Sequence, residues 1–179
     1  MFYVIIKKEK QKGTQPLIKD ANFMSIEKVR DFFKSHGIED RIPEFDRSSA
    51  TVELAAAALG CDGARIANTL SFSLDGAPIL IVTAGDAKID NSKYKRTFGT
   101  KAKMLSFDDV EVLIGHAVGG VCPFATNPGV KVYLDSSLKR FDTVFPAAGS
   151  ASSAVELTIF ELEKFSEFDS WVDVTKLPE

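Results

Sequence analysis

The chain has 179 residues, of which 45% are apolar and 26% charged, and its formal net charge is −3. That is enough apolar side chain for one self-sufficient core, while two cysteines without CxxC spacing and two histidines exclude a disulfide framework or a zinc site. No apolar run approaches the roughly 18 residues of a membrane span, so composition and cysteine usage point to a cytoplasmic protein without a membrane partner.

Residues 1–23 form a leader unlike the rest: Lys7, Lys8, Lys10, Lys12 and Lys19 against Glu9 and Asp20 give it +3, which leaves −6 for residues 24–179. It reads as an N-terminal extension, either a disordered tail, a short extra strand over residues 2–6, or an over-extended start, because Met24 stands directly before Ser25. From Ser25, a good N-cap, Ile26, Val29, Phe32 and Phe33 share one helical face, and Gly37 closes the helix. Residues 40–46 read as a short edge strand, since Pro43 cannot donate to a ladder. Ser49 or Thr51 then opens an alanine-rich helix that Gly60 ends, and Asp62 caps a short turn through Ile66.

Thr69 to Leu74, Asp75-Gly76 and Pro78 to Val82 spell a period-two strand, a hairpin dipeptide and a fully apolar strand, which places this hairpin at the centre of a sheet. Beyond Gly85-Asp86 a helix is expected over residues 91–98, closed by Gly99, and another from Ser106, with Asp109 at capping-box distance, to Gly115. Strand signals return at Val130–Leu134, Thr143–Phe145 and Val155–Thr158, followed by a helix from Ile159, where Thr158 and Glu161 again have capping-box spacing. Strands and helices mix without strict βαβ alternation and without repeats. The expectation is therefore one α+β domain over residues 24–179, a mixed, partly curled sheet with flanking helices.

No GxSxG, HExxH or GxxxxGKT signature is present, and nothing in the sequence calls for a metal, a cofactor or DNA. The most unusual segment runs from His116 through Gly119-Gly120-Val121-Cys122-Pro123 to Phe124. Paired glycines let main-chain N–H groups converge on one point and let a ligand approach closely, and Pro123 stiffens the exit. On local sequence alone, a tight turn that needs glycine for steric reasons is the stronger reading.

Gly119 to Pro123 resembles the GxxxP loop of the YbaK/ProX/EbsC aminoacyl-tRNA deacylases, which are related to the editing domain inserted in bacterial prolyl-tRNA synthetases. The flanking text is similar too: Glu44-Phe45-Asp46, Ala67-Asn68-Thr69-Leu70, Ala84-Gly85-Asp86 and Phe141-Asp142-Thr143-Val144 before Ala148-Gly149. The resemblance runs from about Met24 to Lys176 and implies that family's editing-domain fold. It also implies hydrolysis of mischarged tRNA in trans, with a small amino acid such as cysteine or alanine on the proline acceptor, and a synthetase as a further partner. Under it, main-chain donors of Gly119 and Gly120 receive the ester carbonyl or ribose, and Val121, Cys122, Pro123, Thr69 and His116 line the substrate site. Donors of this kind supply roughly 3 kcal/mol each to a transition state.

The departure is Asn68, which stands where the family usually has lysine. Asparagine keeps donors and an acceptor but loses the charge. Either the enzyme is slow, another cation such as Lys88 reaches the site, or the fold persists as a binding module without turnover. Cys122 is a weak nucleophile candidate because no base is evident, and His116 either orients a water or caps the preceding helix, the cap being the better reading. Asp86, Lys88 and Asp90 form a polar cluster that reads almost equally as ligand contacts or as turn residues. Lys88, Lys93, Lys95 and Arg96, with Lys101, Lys103, Tyr94 and Phe98 nearby, form a basic and aromatic patch that reads either as a contact for a tRNA acceptor end or, as is commoner for lysines on one helix, as a plain solvated face. Valine at Gly119 or Gly120 is expected to leave a folded protein with little hydrolysis.

Overall fold

A computed structural model describes residues 18–46 and 51–178. Helix α1 (Ile18–Lys34) runs straight through Met24 and Ser25, and Gly37 turns the chain out of it with φ of 69°. Ser25 is therefore not an N-cap. Its buried hydroxyl bonds His116 Nδ1 at 2.8 Å instead, which ties the helix to a distant loop. The division drawn after residue 23 falls inside α1, and residues 1–17 lie outside the described residues.

The strand expected over 40–46 is replaced by a 3-10 turn at Glu39–Arg41 and one isolated bridge, Glu44 to Ser153. Pro43 removes the donor a longer ladder needs, and Arg41 is drawn instead to Glu161 at 2.7 Å. Helix α2 (Val52–Leu59) starts on Thr51, whose side chain accepts from Leu54 N–H, and ends at Gly60 with φ of 65°. Asp62 caps the turn Gly63–Arg65 as its spacing predicts.

Strands β1 (Ile66–Leu74) and β2 (Ala77–Ala84) form the hairpin, with Asp75 and Gly76 both at positive φ, 50° and 85°. After it come β3 (Lys88–Ile89), α3 (Asn91–Phe98), α4 (Phe107–Ile114), β4 (Lys131–Asp135), β5 (Thr143–Pro146), β6 (Leu157–Thr158), α5 (Ile159–Ser166), β7 (Ser170–Val172) and β8 (Thr175–Lys176). The main sheet has the order β6-β5-β1-β2-β4-β7, so the hairpin is central. It is mixed: β1–β5, β2–β4 and β4–β7 are parallel, whereas β1–β2 and β5–β6 are antiparallel. A separate ribbon pairs β3 with β8.

Alternation along the hairpin divides the core in two. Ala67, Leu80, Val82 and Ala84 join Val29, Phe33, Val110, Ile114 and Leu162 in one cluster, which the helices α1, α4 and α5 cover. Phe72, Ile79 and Ile81 face the other way, onto Tyr94 of α3, Tyr133 and Val174. Ser106 caps α4 by accepting from Asp109 N–H without closing a full capping box, whereas Thr158 and Glu161 form the reciprocal box that starts α5.

Candidate active-site cleft

A cleft of about 330 Å³ opens beside β1. Its walls are β1 from Ile66 to Ser71, Val52 and Ala55 of α2, Phe107 and Val110 of α4, and the loop residues Val118, Gly119 and Val121. Asn68 and Thr69 are thus brought to the same cavity as the glycine loop, and no ionisable side chain appears among the described residues that line it. Phe107 and Met104 at its mouth are 74% and 58% exposed. Sequence reasoning missed both, because an exposed aromatic at the first residue of a helix carries no periodic signal.

The two glycines do different jobs. Gly119 lines the cleft with φ of 93°, a conformation that L side chains rarely adopt. Gly120 lies against the turn at Gly149-Ser150, so close that a Cβ would stand 2.6 Å from the Gly149 carbonyl carbon. Of the residues expected to meet substrate, Gly120, His116, Cys122 and Pro123 are absent from the cleft wall. His116, Cys122 and Pro123 are buried, packed beneath the loop where they fix its shape.

His116 neither orients water nor caps α4; Asn127 takes the cap, donating to the Val112 and Leu113 carbonyls at 3.0 and 3.3 Å. The imidazole Nε2 lies 2.7 Å from the Phe124 carbonyl, which can only accept, so Nε2 carries the proton and Nδ1 accepts from Ser25. Burial pushes its pKa down from 6.5 to about 4. In the unfolded chain the ring takes a proton near pH 6.5, while the folded state refuses it until about 4, so stability falls as pH drops through that window. The expected loss is up to about 3 kcal/mol. Urea denaturation between pH 7 and 4.5, compared with His116→Asn, measures it: the variant should show a shallower fall in acid.

Cys122 Sγ stands 3.6 Å from His116 Nε2, a proximity the sequence hid. The pair is not a catalytic dyad. Burial holds the thiol up at about 12 and the imidazole down at about 4, the opposite of what a thiolate–imidazolium pair requires. Cys122→Ala is expected to keep most hydrolytic activity at a stability cost of about 1 kcal/mol, with no acyl-enzyme seen by intact mass in the parent protein.

The basic patch lies away from the cleft wall. Lys88 is exposed on β3, where it pairs with Lys176, so it does not supply the cation missing at Asn68. Lys93 is committed to Asp173 at 2.7 Å, whereas Lys95 and Arg96 are exposed on α3. Tyr94 is fully buried and Phe98 packs beside it, so these rings build core rather than a stacking surface. Lys101 and Lys103 are exposed in the segment that leads directly to Met104 at the cleft mouth. Asp86 pairs with Arg140, which holds its carboxyl below the usual range, and Asp90 caps α3; both are turn residues in structural roles.

A family model for the aminoacyl-tRNA editing domain matches residues 46–165, a span that contains every residue named above in the cleft wall. The chain is 54% identical over 154 residues to the uncharacterized protein YwhH of Bacillus subtilis, covering 86% of this chain and 98% of that protein. It is 29% identical over 126 residues to proline–tRNA ligase of a Geobacter species, covering 67% of this chain and 22% of the ligase. A crystal structure described as that of a candidate trans-editing enzyme for prolyl tRNA synthetase superposes with a TM-score of 0.76 at 25% identity, over 85% of this chain and 97% of the other. The mixed, curled sheet with flanking helices is that same fold, and the chain belongs to the aminoacyl-tRNA editing domain family.

Proposed function

We propose that this protein is a cytoplasmic aminoacyl-tRNA deacylase acting in trans. The observation that carries the reading is the single cleft onto which Asn68 and Thr69 of β1 and Gly119 and Val121 of the loop converge. In this reading a positioned water adds to the ester carbonyl carbon, and loop N–H groups stabilise the oxyanion. The bond to the terminal ribose oxygen then breaks as that oxygen takes up a proton. An amino-acid ester is already activated, so preorganised donors suffice without a side-chain nucleophile. An uncharged, largely apolar wall suits a small side chain such as that of alanine or cysteine, on the proline acceptor by analogy with the synthetase relative. Lys95, Arg96, Lys101 and Lys103 would meet acceptor-stem phosphates in a salt-sensitive contact.

The second reading, a module that binds an aminoacyl-tRNA end or a synthetase without turnover, is favoured by the lack of ionisable side chains in the described cleft wall. A panel of mischarged tRNAs separates the two. Ester hydrolysis above the spontaneous rate supports the deacylase, whereas tight binding with no hydrolysis supports the module.

A further inference from the structure

The two-residue turn at Asp75-Gly76 makes Leu74 and Ala77 a hydrogen-bonded pair, and the alternation of an antiparallel ladder then fixes every position along β1. Phe72, Leu70 and Asn68 turn their N–H and C=O toward β2, opposite Ile79, Ile81 and Thr83. Residues at odd positions point outward. Ser73 N–H donates to the Lys103 carbonyl at 2.8 Å, the Ser71 carbonyl accepts from Leu105 N–H at 3.1 Å, and Ala67 is paired with β5.

Thr69 lies between these two partners and has neither. Its main-chain N–H and C=O face the cleft with no partner among the described residues, and its Oγ1, shielded from solvent, also has none among them. An unpaired peptide group in such a position is costly, so a hydrogen-bonding ligand gains there what water would otherwise have to supply.

We infer that the main chain of Thr69 recognises the free α-amino group of the substrate, its C=O accepting from the α-ammonium while its N–H donates to the ester carbonyl. This rests on the deacylase-fold reading given above and names the part of the substrate that the cleft reads. The gap is short, because Ala67 is paired with β5 and the Ser71 carbonyl is already taken by Leu105 N–H. A peptide strand needs successive positions with both groups free, and the Ser71 carbonyl breaks that run. A single α-amino ester does fit, presenting its amine and carbonyl as one residue of an antiparallel pair. The same N–H then polarises the carbonyl from the side opposite the Gly119 loop, and an N-acylated ester loses the ammonium that Thr69 accepts.

The test uses 3′-alanylamido-3′-deoxyadenosine, which cannot be hydrolysed, and its N-acetyl derivative, with the full chain. Calorimetry should show the free-amine probe binding at least about tenfold more tightly, the equivalent of one charge-assisted hydrogen bond. Amide exchange followed by NMR should slow at Thr69 by about tenfold or more when that probe is saturating, with no comparable change from the acetylated one. Equal affinities, no binding of the free-amine probe, or an unchanged Thr69 amide each overturn the inference. Discriminating binding without hydrolysis of any mischarged tRNA sinks the deacylase reading and leaves this one standing. Hydrolysis indifferent to N-acetylation does the reverse.

Discussion

Asn68→Lys is expected to raise ester hydrolysis by about ten- to a hundredfold, because a charge-assisted contact to the developing oxyanion is worth about 1.5 to 3 kcal/mol. The new ammonium would be the one cation on the described cleft wall, where nothing competes with it for substrate. Asn68 is half-buried at an open cavity, so a lysine there keeps part of its hydration and escapes the full cost of burying a charge. Asn68→Ala should change the native rate little. A time course of mischarged-tRNA hydrolysis reads both. If Asn68→Lys binds substrate and stays inert, the module reading is correct; if Asn68→Ala abolishes a robust native rate, the carboxamide is itself a working group.

Gly120→Val is expected to destabilise the fold severely, by about 3 kcal/mol or more, and to lower its melting temperature well below that of Gly119→Val. The added Cβ would meet the Gly149 carbonyl carbon and oxygen and Ser150 Cα, all at 2.6 Å, and these are backbone atoms that no rotamer change can move aside. Gly149 is itself pressed against α1, where a Cβ would stand 2.6 Å from the Ser25 carbonyl oxygen, so the turn cannot retreat. This corrects the expectation that valine at either glycine spares the fold. Gly119→Val differs: the strain of a side chain at φ of 93° is about 1 to 2 kcal/mol, and the loss should fall on hydrolysis. Thermal denaturation of the two variants side by side decides it; equal melting temperatures would remove the distinction.

Local chemistry made most of the fold legible. Thr51, Asp62, Ser106 and Thr158 all accept from main-chain N–H groups at helix or turn starts, and Asp75-Gly76 makes the hairpin that its residues announce. What stayed hidden depended on distant partners. Ser25 looked like a cap because His116, which takes its hydroxyl, is far away in sequence. The short strands β3, β7 and β8 have no periodicity to read; they exist because Lys88 finds Lys176 and Tyr133 finds Ser170. Within the site, Asn68, Thr69, Gly119 and Val121 were legible from a motif. That Gly120, His116 and Cys122 would face inward was not, since a loop motif carries no record of which side packs.

The parallel contact between β1 and β5 also sets the order in which this molecule completes its cleft. The β1–β2 hairpin closes a two-residue turn and forms on a microsecond scale, whereas β5 must return across the intervening helices to reach Ile66 and Ala67. Non-local parallel pairing is the slow step of such topologies. Phe145, Ala147, Ser153 and Ala154 complete the cleft, so a chain still emerging from the ribosome at residue 140 already holds Asn68, Thr69 and Gly119 but has no cavity to put them in. The cleft therefore forms late and all at once, when the second half of the sheet docks.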